Sequence, residues 1–144
     1  MQTFLPLPTF KASAQVLDRQ RLGKQRIECY QILSTLLGKS AGWANHPAVK
    51  MWKRYEFALV EYTFTVCAEW TLRGYKDSVG TKVVTELLAD VPDSSHGGWP
   101  PHFDEAFRRS HQSNLLRKDP AHYGPYFPDV PADLPYVWPM PDAK

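Results

Sequence analysis

The placement of proline constrains this chain more than any other feature. Seven of its 13 prolines fall between residues 120 and 141, two stand at Pro6 and Pro8, and only Pro47, Pro92, Pro100 and Pro101 lie between. Proline lacks an amide hydrogen and clashes with the preceding turn, so long helices are permitted in the middle of the chain and excluded from its ends. Each proline also biases its predecessor away from the helical region, which makes residues 1–8 an extended arm.

Within the permitted stretch apolar residues recur at helical spacing. A short helical turn is expected over residues 13–18. Leu22, Cys29, Leu33 and Leu36 then mark a helix over residues 19–37, with Gly38 as its stop. Asn45 or His46 is placed to cap a helix opened by Pro47. The strongest pattern follows: Trp52, Tyr55, Leu59, Tyr62, Val66 and Trp70 step by three or four up to Gly74. A helix over residues 47–73 would run about 40 Å and form the centre of the core. A third helix is expected over residues 81–89 with Val83, Val84, Leu87 and Leu88 buried, and a fourth over residues 101–118, ended by Asp119-Pro120. The remainder carries Tyr123, Tyr126, Phe127, Tyr136 and Trp138. So many aromatics are foreign to a disordered tail, so this segment is expected to wrap over the helices. The fold class read from this pattern is all-α: a single compact domain over residues 1–144, of about four helices with an N-terminal arm and a C-terminal wrap.

Composition narrows the function classes. At 144 residues and 43% hydrophobic content the chain can bury a core without disulfide or metal staples. No apolar run approaches the ~20 residues that cross a bilayer, and no signal-like segment opens the chain, so a soluble intracellular protein is expected. Cys29 and Cys67 lack metal-ligand or redox spacing and read as reduced core thiols. The five histidines form no H-E-x-x-H or H-x-x-H unit, so neither a metal nor an organic cofactor is expected. A net charge of +2 is too small to identify nucleic acid as a partner. Where the charges lie must decide.

Arg19, Arg21, Lys24 and Arg26 crowd the first long helix, and spacings of three and four place Arg21, Lys24 and Glu28 on one face. This stripe can be a solvated face with weak local ion pairs. The excess of arginine, suited to bidentate phosphate contact, and the interruption at Gly23 allow a ligand-facing surface instead. Arg108, Arg109, Arg117 and Lys118 form a second basic group on the fourth helix, and two basic helices with exposed aromatics would suit phosphate contact and stacking. His46 and His102, each at a helix start, read first as caps or structural hydrogen-bonders. The residues alone thus lead to a helical protein with a basic face around Glu28 and stop short of a reaction.

Four islands carry a resemblance: D-R-Q-R-L-G-K-Q-R-I-E-C from Asp18 to Cys29, N-H-P-A-V-K-M-W from Asn45 to Trp52, L-R-G-Y from Leu72 to Tyr75, and P-H-F-D-E-A-F from Pro101 to Phe107. In this order they resemble the pyrimidine-dimer DNA glycosylases of the phage endonuclease V type, and more particularly a bacterial and phage branch that begins M-Q-T-F-L-P. The resemblance implies a compact all-helical enzyme of base-excision repair that flips a nucleotide from double-stranded DNA containing damaged or modified bases. It implies that an N-terminal amine attacks the sugar to form a Schiff base, supported by one glutamate that matches Glu28. Arg21, Lys24, Arg26, His46, His102, Arg117 and Lys118 are the expected DNA contacts. His46 and His102 match histidines of the family, and Tyr123 and Tyr126 its tyrosine-rich C-terminal segment. A monomer without cofactor, cytoplasmic and associated with the nucleoid, follows as the expectation.

One position departs from the family. Its nucleophile is a threonine amine exposed by loss of the initiator Met, whereas Gln2 follows Met1 here and its bulk disfavours that removal. Either the amine of Met1 serves, with abasic-site lyase activity, or Glu28 activates water. A catalytically silent DNA-binding module and an enzyme of modified-nucleobase metabolism are the rival readings.

Overall fold

The computed structural model describes residues 1–141. Among them there are seven α-helices and no strand: α1 Phe10–Val16, α2 Arg19–Leu36, α3 Pro47–Lys50, α4 Glu56–Leu72, α5 Val79–Lys82, α6 Glu105–Lys118 and α7 Pro120–Tyr123. The accessible surface of 7526 Å² is close to the roughly 7,550 Å² expected for a compact chain of this mass. The chain therefore buries its apolar surface on itself.

The helices start where side chains can take the orphan amides. Thr9, Asp18, His46 and Asp104 each accept a backbone N–H of the first turn of α1, α2, α3 and α6. α2 and α4 end before Gly38 and Gly74, whose positive φ of 77° and 95° turns the chain out of the helix. α2 and α1 both pack against α4. The core between them holds Leu22, Ile32, Leu33, Leu59, Tyr62 and Val66, all fully buried.

The 40 Å helix expected over residues 47–73 is broken. α3 lasts one turn, Arg54 adopts a positive φ of 72°, and α4 begins afresh at Glu56. The backbone groups released at the break find partners elsewhere: Arg54 N–H donates to the Glu56 carboxylate, His96 N–H donates to Arg54 C=O, and Ala58 N–H donates to His96 C=O. The loop after α5 thus seals the break. The apolar periodicity still points Trp52 inward, where it stacks on Tyr62 and meets Phe103 edge-on at 4.9 Å between centroids. Periodicity reports which side is buried and is blind to a break that keeps the buried side in phase.

Two further expectations change. The third helix starts at Val79, passes through a widened π turn at Val83–Leu87 and closes in a 3₁₀ turn at Leu88–Asp90. Val79, Val83 and Leu87 form its buried stripe, while Val84 is exposed. α6 begins at Glu105 rather than at Pro101, because Asp104 supplies the cap. The C-terminal segment does wrap: Tyr123 and Phe127 are buried, and Leu134 and Val137 donate their N–H groups to Ser113 and Ser110 of α6. Residues 142–144 of that segment lie outside the described residues.

Candidate active site

Residues 21, 24, 25 and 28 of α2 share one face by helical spacing. That face lines a cleft of about 220 Å³, closed by Met1, Gln2 and Phe4 of the arm, Lys118 of α6 and Tyr136 of the wrap. Glu28 lies at its floor, 8% exposed. One carboxylate oxygen accepts the N–H of Gln2 at 2.9 Å, and the other faces the Lys24 ammonium at 3.7 Å. The α-amine of Met1 stands one residue beyond Gln2, within about 3.6 Å of chain. The amine therefore lies within roughly 6.5 Å of the oxygen that accepts Gln2 N–H, at the same cleft.

His46 belongs to the same neighbourhood. Its Nδ1 accepts the Ala48 N–H, so the neutral ring carries its proton on Nε2. Burial lowers its pKa, the N-terminal ammonium lowers it further, and Glu28 opposes both. The ring meets Trp43 and Trp138 edge-on, each at 5.8 Å. Tyr136 hydrogen-bonds the Gln2 side chain, and burial raises its pKa against the opposing charges of Arg117 and Arg21.

The rim is fixed by a second set of contacts. Arg21 pairs with Asp18 at 3.2 Å, and Asp18 also accepts the Tyr123 hydroxyl. Burial pushes the Asp18 carboxyl up, but the Tyr123 and Arg21 hydrogen bonds and the Arg21 charge outweigh it and leave its pKa lowered. This contact ties α7 to the start of α2 and uses Tyr123 structurally. Tyr126 is exposed.

The structure therefore gathers Met1, Glu28, Arg21, Lys24 and Lys118 at one cleft, with His46 within electrostatic reach. Arg117 stands beside it and holds the wrap, donating to Ala132 C=O and to Asn114. Arg26 and His102 lie elsewhere. Arg26 projects from the opposite face of α2, 2.6 Å from Asp77 and stacked 4.4 Å over the Trp70 ring. His102 Nε2 is 2.7 Å from Met51 C=O, against the rings of Tyr55 and Phe103 at the break before α4. Gly23 does mark a close approach, but to Trp70: a Cβ there would fall 2.9 Å from the indole ring. Cys29 and Cys67 are buried free thiols, and burial pushes Cys29 up to about 12. Sequence reasoning missed Gln2, Gln25 and Tyr136. The i, i+3 spacing of Gln25 and Glu28 could have exposed Gln25, whereas nothing local links Tyr136 to α2.

The family model for pyrimidine dimer DNA glycosylases matches residues 1–82, more than half of the chain. The chain belongs to the pyrimidine dimer DNA glycosylase family. No curated protein and no solved structure matches it. The matched segment carries Met1, Arg21, Lys24, Glu28 and His46, while Lys118 and Tyr136 close the cleft from outside it. Membership implies DNA as the substrate. Among the described residues no helix is long and apolar enough to cross a membrane.

Proposed function

We propose that this family member is a DNA glycosylase with abasic-site lyase activity, in which the amine of Met1 is the nucleophile and Glu28 its proton-transfer partner. The observation that carries the reading is the 2.9 Å hydrogen bond from Gln2 N–H to Glu28, which anchors the arm at the buried carboxylate and leaves the preceding amine in the same cleft. An α-amine has a pKa near 7.7–8.0, so roughly 10–20% is neutral at pH 7, whereas a lysine near 10.4 is almost wholly protonated.

The neutral amine attacks C1′ of an extruded nucleotide, and the glycosidic bond breaks with its electron pair leaving on the pyrimidine, which takes up a proton. Loss of the nitrogen proton and opening of the C1′–O4′ bond give the imine, with Glu28 carrying the proton to O4′. Removal of a C2′ proton expels the 3′ phosphate, and water then hydrolyses the imine and frees the amine. Arg21, Lys24 and Lys118 contact the phosphates and offset the few kcal/mol of base extrusion, which is smaller at a damaged site. Arg26 and His102, committed to Asp77 and Met51, are left out of that set. The enzyme acts as a single-domain monomer on double-stranded DNA in the cytoplasm.

The test incubates the protein with duplexes carrying a cyclobutane dimer or an abasic site, with and without borohydride. A trapped covalent adduct that is lost in Glu28→Gln is expected. Base release without an adduct would leave a water-activating glycosylase. Binding without cleavage on every lesion would reduce the protein to a DNA-binding module.

A further inference from the structure

The N-terminal arm is extended but has no strand beside it, so its backbone cannot form a sheet ladder. Side chains take the place of that ladder. Gln2 N–H donates to Glu28, Phe4 C=O accepts the Tyr62 hydroxyl at 2.5 Å, Leu5 N–H donates to His111 Nδ1 at 2.8 Å, and Pro6 C=O accepts Gln112 at 2.7 Å. Gln25 does more than any of these. Its Nε2 donates to Gln2 C=O at 3.0 Å while its Oε1 accepts Phe4 N–H at 2.8 Å. A residue in a parallel ladder binds its neighbour in this way, taking the C=O before and the N–H after one facing residue. The Gln25 carboxamide imitates one residue of a missing parallel strand.

Such pairing fixes register. A slip of the arm by one residue would move the terminal amine by about 3.3 Å and turn each side chain to the opposite face. Near-attack geometry tolerates far less, since a displacement of about 1 Å can cost 100-fold in rate. Gln25 is 1% exposed, on the same face of α2 as Glu28 and one turn before it. Packing alone would be served by an apolar side chain of that length. Here both ends of the carboxamide are used on the arm.

We propose that Gln25 is a positioning residue: by holding Gln2 C=O and Phe4 N–H together it sets the arm's register and aims the α-amine into the cleft. This rests on the amine mechanism proposed above.

The experiment compares the parent protein with Gln25→Met, which keeps length and loses both hydrogen bonds, and with Gln25→Glu. Three quantities are read: the single-turnover rate of borohydride trapping on an abasic duplex, affinity for a duplex carrying a non-cleavable tetrahydrofuran site, and hydrogen exchange of residues 2–5. In Gln25→Met trapping should fall about 10- to 100-fold, with faster exchange in the arm and unchanged affinity. In Gln25→Glu the ionised carboxylate still accepts Phe4 N–H but offers Gln2 C=O no hydrogen. Its protonated form does, so trapping relative to the parent should recover as pH falls. Glu28, Lys24 and Arg21 on α2, the Met1 amine, Lys118, Tyr136 and Cys29, whose Sγ lies 3.5 Å from Gln25 Nε2, face this position and are present in parent and variant alike, so the ratio reports on residue 25. Trapping at the parental rate in Gln25→Met, a pH-independent ratio in Gln25→Glu, or trapping and affinity lost together would overturn the positioning role. Absence of an adduct in the parent would overturn the amine mechanism and this inference with it, which keeps the two failures apart.

Discussion

His111 sets an acid limit on the folded state. It is fully buried on α6, its Nδ1 accepts Leu5 N–H, and the rings of Phe4, Phe107 and Tyr136 surround it. The Leu5 contact places the proton on Nε2, a buried atom without a hydrogen-bond partner among the described residues. A second proton would set an N–H against the Leu5 N–H in an apolar pocket, and burial accordingly lowers the His111 pKa to about 3. Above the ordinary value near 6.5 the ring is neutral in both folded and unfolded chains, and stability is unaffected. Below it the unfolded chain binds a proton that the folded chain refuses, so stability falls as pH falls, by about 1.4 kcal/mol per pH unit until pH approaches 3. Between pH 6.5 and 4.5 the loss is roughly 2–3 kcal/mol, a large part of the ~5–15 kcal/mol that holds a domain together. Urea unfolding followed by tryptophan fluorescence at several pH values, on the parent and on His111→Gln, measures this directly. Glutamine can still accept Leu5 N–H but cannot titrate, so the two stability curves should converge as pH falls. His46, Asp18 and Asp77 also have lowered pKa values, but they are common to both proteins and cancel in the difference. Parallel curves across this range would refute the reasoning.

Two other perturbations test the packing behind the cleft. Gly23→Ala should destabilise by about 1–2 kcal/mol in urea unfolding despite alanine's better helix propensity, because the new methyl meets an indole fixed by its bond to Lys76 C=O and its stack on Tyr75. A stabilised variant would refute that approach. Asp77→Ala should cost about 3–5 kcal/mol by leaving the Arg26 guanidinium buried without its counter-charge, whereas Asp90→Ala, which breaks the exposed pair with Lys39, should cost about 1 kcal/mol or less. Equal losses in the two melts would show that burial does not distinguish these pairs.

The basic stripe on α2 shows how far one-dimensional reasoning reaches. Helical spacing placed Arg21, Lys24 and Glu28 on one face, and the structure lines its cleft with all three. Arg26 looked the same by composition, yet its angle on the helix sends it to Asp77, fifty-one residues away, and no local pattern announces that partner. His46 was legible as a helix cap, while its nearness to the terminal amine is a long-range contact of the tertiary structure. The break at Arg54 has no local signature for a related reason. It is stabilised by His96, which enters from a distant loop.

By itself the sequence determined what is local: helix in the middle, extended chain at the proline-rich ends, the capping residues, and a glutamate in a basic row. Those features depend on backbone sterics and on neighbours three or four residues apart. The tertiary structure alone decided which cations face the cleft, that Tyr136 and Lys118 close it, and that Gln25 and Glu28 grip the arm. These contacts join residues far apart in the chain, where position is set by the packing of whole helices and many weak contacts must agree at once.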